Sequence, residues 1–386
     1  MNRRKVMKKT LKAITIGALA STVLASATMA DIKIGVLIPD SGPAGLFGPS
    51  SRNSASLAAQ EINESGGING EQIELIFADV GVPPAEAAQS ALRLWKGQGV
   101  EAFVGMHDSA VREALMGQFK GQVPYVYTAV YEGKACGTGL YVTGETPSQQ
   151  LAPVIPHLMQ KEDAKKWYLI GNDYNWPRDT NALAKQYIAD AGGEIVGEEY
   201  LPFTVAEFDS SLQKIKASGA EGVLVTLVGG ASVGFNVAFA GFGLDEQAFR
   251  LGTLIEENTL AGIGAPNANR LYSSSGYFAS IDSDAAKSFS AAYSEQFGSD
   301  AAQLNSLGQS TYDGLKLLAS LGNSAGSLDV AAIEAIAEGT TFESPRGTGT
   351  LTGRHVAQTI YLANGTGGSF EVETAFGNVS STDDCK

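Results

Sequence analysis

Cysteine and histidine are nearly missing from this 386-residue sequence: it has two cysteines, Cys136 and Cys385, and three histidines, His107, His157 and His355. None falls at a spacing that would hold zinc, so no metal site is expected. Catalytic signatures are missing as well. There is no GxSxG turn for a hydrolase nucleophile. His107, Asp108 and Ser109 are adjacent in GMHDSAV, but a triad is assembled in space, and neighbours in sequence rarely point together. The glycine loop SGPAGLFG lacks a GK[ST] ending, and no GxGxxG follows the first strand. Phosphate and dinucleotide cradles are therefore not expected, no cofactor is implied, and the chain does not read as an enzyme.

Positive charge is scarce, with 27 Lys+Arg against 41 Asp+Glu. Six of those cations sit in MNRRKVMKKTLK, followed by the small apolar run AITIGALASTVLASA and then ATMA before Asp31. That order matches the n-region, h-region and cleavage site of a secretory signal over residues 1–30. The run is too short to span a bilayer comfortably, which takes about 20 residues. Arg3-Arg4 fits either a twin-arginine export signal or an ordinary n-region. Removing residues 1–30 takes six of the 27 basic residues and none of the 41 acidic ones, leaving a net charge of −20. No basic patch remains to suggest a nucleic-acid partner. Export leads to an oxidising compartment. There the isolated pair Cys136 and Cys385 is expected to be bridged, the alternative being two thiols that never meet.

What the sequence does contain is a repeated strand–loop–helix pattern. IKIGVLI, QIELIFADV, EAFVG and VPYVYTA are short β-rich runs, and segments with helical spacing such as SASLAAQEINES and PPAEAAQSALRLWKGQ lie between them. A second series starts near residue 147. TPSQQLAPVIPHLMQK reads as one helix, KKWYLI as a strand, RDTNALAKQYIADAG as a helix and GVLVTLVG as a strand. NGTGG near the C-terminus lies between two alternating runs, a hairpin signal. Strands alternating with helices imply βαβ units and a parallel sheet. At this length two domains are expected. The pattern predicts two similar α/β lobes without a long linker.

Ligands of open parallel sheets bind beyond the carboxyl ends of the strands. The segments to inspect are therefore Ser41–Phe47, Met106–Ser109, Val130–Glu132, Asp173–Trp176 and Gly229–Ser232. Ser109 or Asp108 caps a helix whose free N–H groups would also suit a carbonyl or carboxylate oxygen. Tyr174 and Trp176, in GNDYNWPRDTN, are either packed over a local core or placed as the wall of a pocket.

The segment IKIGVLIPDSGPAGLFGPSSRNSASLAAQEINESGGINGEQIELIFADV resembles the opening of periplasmic binding proteins of the leucine/isoleucine/valine type. These are the two-lobed type I receptors of ABC importers. The resemblance continues through VGMHDSAVREA, VYEG, GNDYNWPRDTN, AGGEIVGEEYLPF and TLVGGASVGF, and is nearest to the branch of urea and short-chain amide receptors. It implies two lobes, each an open, mostly parallel sheet flanked by helices, joined by three hinge crossings. Lobe 1 would hold residues 31–145 and 280–355, and lobe 2 residues 146–279 and 356–386. A small polar ligand would lie between the closing lobes, and the permease subunits of an importer would be the partners.

Carried over residue by residue, the resemblance places the ligand against His107, Ser109, Tyr127, Tyr174, Trp176, Val228, Gly229 and Gly230. Amino-acid receptors of this kind carry an acid near Gly229–Gly230, and here the turn reads VGGAS. Asp108 and Glu256 or Glu257 are the carboxylates that could replace it. A neutral urea or amide needs no such charge. Receptors for branched-chain or other amino acids and an exported sensor remain alternative readings. An exported hydrolase would need His107 and Ser109 brought together in space.

Overall fold

Buried on both faces, runs such as IKIGVLI and GVLVT suit central parallel strands between two helix layers. In the computed structural model, which describes Met1, residues 31–134 and residues 136–382, they take that place. The expected leader and Cys385 lie outside the described residues. Among the described residues no helix is long and apolar enough to cross a membrane.

The first series comprises β1 (Ile32–Ile38), α1 (Gly48–Glu64), β2 (Ile73–Asp79), α2 (Pro84–Gln98), β3 (Ala102–Gly105), α3 (Ser109–Phe119), β4 (Tyr125–Tyr127) and β5 (Leu140–Val142). After the short α4 (Pro147–Gln150) and α5 (Val154–Glu162), the second series begins. It comprises β6 (Lys166–Asn172), α6 (Asn175–Asp190), β7 (Glu194–Leu201), α7 (Asp209–Ser218), β8 (Gly222–Thr226), α8 (Gly229–Gly241), β9 (Phe249–Gly252), α9 (Glu257–Ile263) and β10 (Leu271–Ser275). The chain then returns to the first series through α10 (Asp284–Phe297), α11 (Ser306–Ala325) and α12 (Val330–Glu334). It ends in β11 (Thr341–Ser344), β12 (Gly347–Thr352), β13 (His355–Asn364) and β14 (Glu371–Val379).

The strand order is β2-β1-β3-β4-β5, then β13, then β10-β9-β8-β6-β7. Pairing is parallel within each five-strand group. Both groups thus have the same doubly wound order, with a reversal between β1 and β3 in one and between β6 and β8 in the other. Such a reversal opens a crevice at the strand ends. Strand β13 touches β5 at one end and β10 at the other, and so joins the groups.

The stretch expected as one helix from Thr146 is broken into α4 and α5. Pro153, which has no N–H to continue the first helix, marks the break. The expected C-terminal hairpin is present, with β13 and β14 antiparallel.

The crossings between the groups meet at one buried guanidinium. Arg346 Nη1 lies 3.0 Å from Glu145 Oε1 and also bonds the Gln358 amide oxygen, while its Nε bonds Gln309 of α11. Glu145 Oε1 in turn accepts from the backbone N–H of Gly276 at 2.8 Å. One ion pair therefore ties residues 145, 276 and 358, one from each crossing, to α11.

Candidate ligand-binding cleft

The loops at the two strand-order reversals face each other across one cavity. Ala44 and Phe47 come from the loop after β1, Met106 to Ser109 from that after β3, and Ala129 and Val130 from that after β4. Tyr174 and Trp176 enter from the end of β6, Val228 from β8 and Leu254 from β9, and Leu307 of α11 completes the lining. The cavity volume is about 30 Å³. A larger space of about 290 Å³ shares Ala44, His107, Asp108 and Val228 with it, walled by prolines 39, 43, 83 and 84, Val80, Val82 and Phe203.

Of the residues singled out in the sequence, His107, Asp108, Ser109, Tyr174, Trp176 and Val228 line the cavity, whereas Tyr127, Gly229, Gly230 and Glu256 do not. Tyr127 donates its hydroxyl to the His107 carbonyl at 2.7 Å and so holds the loop after β3 from behind. Glu256 caps α9. Its carboxylate accepts from the Asn258 and Thr259 N–H groups at 2.8 and 2.7 Å and from the Thr259 hydroxyl, which leaves it little capacity for a ligand ammonium. Gly229 has φ +53, and a β-carbon there would stand 2.0 Å from the Pro43 carbonyl oxygen of the opposite loop. Its role is to let the loops meet. Gly230 is exposed, with nothing near its would-be β-carbon.

His107 is buried, and desolvation lowers its pKa to about 3, so the ring is neutral. Its Nδ1 lies 3.1 Å from the Asp108 carbonyl oxygen, which can only accept, so Nδ1 carries the proton. Nε2 then accepts from the Tyr125 hydroxyl at 2.8 Å. With both ring nitrogens committed, His107 offers the cavity a ring face. Asp108 caps α3 through Oδ1, which accepts from Val111 N–H at 2.9 Å. Burial raises its pKa against the lowering effect of those helix N–H groups.

Trp176 is 1% exposed, and its Nε1–H has no partner among the described residues. A buried unpaired donor is costly, and at a cavity wall it is a natural contact for a ligand acceptor. Tyr174 packs against Phe203 at 4.7 Å between ring centroids. Its hydroxyl pKa is raised well above the usual value by burial and then by the nearby Asp108, Tyr127 and Glu132, so it stays a donor. The two aromatics thus do both jobs that the sequence left open: they join the core and line the cavity. At the end of β6, Asn172 Oδ1 accepts from Val228 N–H at 2.8 Å and fixes the turn into α8.

A profile for the periplasmic binding protein family matches residues 31–369. The chain belongs to the periplasmic binding protein family. Leu/Ile/Val-binding protein homolog 6 of Brucella melitensis is 30% identical over 368 residues, covering 91% of this chain and 92% of the relative. Among solved structures, an ABC transporter solute-binding protein from R. palustris in complex with 4-hydroxybenzoate has a TM-score of 0.81 at 23% identity, covering 90% of this chain and 98% of that one. A branched-chain amino acid transporter substrate-binding protein from Streptococcus pneumoniae, in complex with isoleucine, has a TM-score of 0.74 at 25% identity, covering 90% and 99%. This periplasmic binding protein is a solute receptor rather than an enzyme, and its two lobes follow the type I fold.

Of the apolar lining, sequence reasoning reached Phe47, Met106 and Val130 but missed Ala129, Leu254 and Leu307, which look like any core residue. It also missed Arg112, which the i,i+3 spacing from Ser109 on α3 could have flagged. Cys136 is not a free thiol. Its expected partner, Cys385, lies outside the described residues.

Proposed function

We propose that this receptor captures a small neutral amide or urea and delivers it to the permease of an ABC importer. The observation that carries this reading is the pairing of cavity size with lining chemistry. The cavity is small, about 30 Å³. A volume of that order suits a ligand of few heavy atoms, such as urea or acetamide. The unpartnered Trp176 Nε1–H suits a carbonyl oxygen, and the Asp108 carboxylate suits amide N–H groups.

On this reading His107, Asp108, Ser109, Tyr174, Trp176 and Val228 form the contact surface. Tyr127, Gly229 and Glu256 support it, and Gly230 stands outside it. Closure brings residues 31–145 and 280–355 against residues 146–279 and 356–386. A leader over residues 1–30 would export the chain, and Cys136 would pair with Cys385.

A second reading, a receptor for an amino acid, draws support from the apolar space of about 290 Å³ beside the cavity, which Asp108 also borders. A side chain could lie there with its ammonium on Asp108. Thermal unfolding of the mature chain with urea, acetamide, leucine and isoleucine separates the readings. A true ligand at 100 times its Kd adds about 2.7 kcal/mol of stability.

A further inference from the structure

Behind the cavity wall lies a buried ion pair with no obvious need to be there. Glu132, in the loop after β4, is 7% exposed and Arg112 of α3 is 1% exposed. Their charged atoms are 2.7 Å apart, and the guanidinium also lies over the Tyr131 ring at 4.7 Å. Removing two charges from water is costly, so a buried pair is weak evidence for stability alone. Its geometry points instead at Ser109. The Ser109 hydroxyl donates to Glu132 Oε2 at 2.6 Å and accepts from Arg112 Nη1 at 3.1 Å. A serine hydroxyl has one proton and two lone pairs. Its proton is spent and one lone pair is filled, so only an acceptor site remains for anything in the cavity.

We propose that Glu132 sets the ligand preference of the cleft, towards neutral N–H donors and away from carboxylates, by committing the Ser109 proton. The inference rests on the reading of this cavity as the solute site. Charge works in the same direction. Arg112 is paired with Glu132 at 2.7 Å and with the more exposed Glu113 at 2.6 Å, His107 is uncharged, and Asp108 is left as the unbalanced charge on the lining. On this wall a carboxylate would meet an acid and a serine oxygen with no proton to give, and would have only the Trp176 N–H and the Tyr174 O–H opposite as donors. A primary amide of the same shape would find acceptors for both of its N–H groups. Glu132 Oε1 also accepts from Asn175 of α6 across the cleft at 3.2 Å, so the same residue couples this wall to closure. That coupling acts equally on an amide and its matching acid, and cancels in their ratio.

The test uses shape-matched pairs, acetamide with acetate and benzamide with benzoate, titrated calorimetrically into the mature protein and into Glu132→Gln. The wild type should bind the amide of at least one pair at least tenfold more tightly than the acid. Binding of only the benzamide pair would overturn the small-ligand reading and leave the role of Glu132 standing. In Glu132→Gln the acid-to-amide ratio of Kd values should fall at least tenfold, because Ser109 regains its proton and Arg112 keeps only the exposed Glu113 as a carboxylate partner. If that variant does not fold, the double variant R112M/E132Q removes both charges, and the ratio should fall at least threefold through the hydroxyl alone. An acid preference in the wild type, binding of none of the four solutes, or an unchanged ratio in the folded variant overturns the proposal.

Discussion

Gly229 and Pro43 meet across the cleft so closely that no side chain fits between them: a β-carbon on Gly229 would stand 2.0 Å from the Pro43 carbonyl oxygen. The glycine also has φ +53, where an alanine costs about 1–2 kcal/mol. The lobes are therefore shaped to close on each other, and binding should select the closed arrangement. Gly229→Ala should leave the fold intact and weaken ligand binding at least tenfold, about 1.4 kcal/mol. Calorimetry measures the loss, and small-angle scattering should show that the ligand-saturated variant stays more extended than the wild type. Unchanged affinity would mean that the loops need not meet.

Trp176 separates a packing role from a polar one. Trp176→Ala empties a buried site and should cost about 3–5 kcal/mol of stability. Trp176→Phe keeps most of the ring and removes only the unpartnered Nε1–H. One hydrogen bond is worth about 0.5–1.5 kcal/mol, so Phe should weaken binding roughly three- to tenfold. Denaturant unfolding should show little loss for the ligand-free protein, since the deleted donor has no protein partner. A large stability loss with unchanged affinity would assign the indole to the core.

How far the sequence shows this cleft can be judged from these same residues. Strand ends are legible because parallel strands read as short apolar runs, and the loops after them carry Asp108, Ser109, Tyr174 and Trp176. The break at Pro153 was less legible, because helical spacing continues on both sides of it. The extended run GTGTLTGRHVAQ conceals a turn between β12 and β13, which pair antiparallel. The partnership of Glu132, Arg112 and Ser109 was not legible at all. It joins a loop to a helix 20 residues away, and only the register of β3 beside β4 brings them together.

Glu257 should make stability depend on pH. Burial raises its pKa to about 8, with adjacent Glu256 adding to the shift, and its Oε2 has no partner. The folded pKa lies above the ordinary value of 4.5, so the folded state holds the proton more tightly. This contribution is complete below pH 4.5 and is lost as pH rises towards 8, by at most about 1.4 kcal/mol per pH unit. Glu257→Gln mimics the protonated acid and keeps an oxygen for the Ala279 N–H. Denaturant unfolding should show Gln stabilising the protein more at pH 8 than at pH 5. An equal effect at both would contradict the shift.

The cysteines give a test independent of the ligand. In the exported protein, alkylation under denaturing conditions should label neither Cys136 nor Cys385 until a reductant is added. Reduction should then lower stability by about 2–4 kcal/mol. Two labelled thiols before reduction would exclude the bridge.

The most direct test of the account is calorimetric titration of the mature protein with urea, acetamide, leucine and 4-hydroxybenzoate at one pH and salt concentration. The account predicts saturable binding of urea or acetamide, weakened in Trp176→Phe, with leucine and 4-hydroxybenzoate silent or far weaker. Tight binding of leucine or 4-hydroxybenzoate with no heat from urea or acetamide would contradict it.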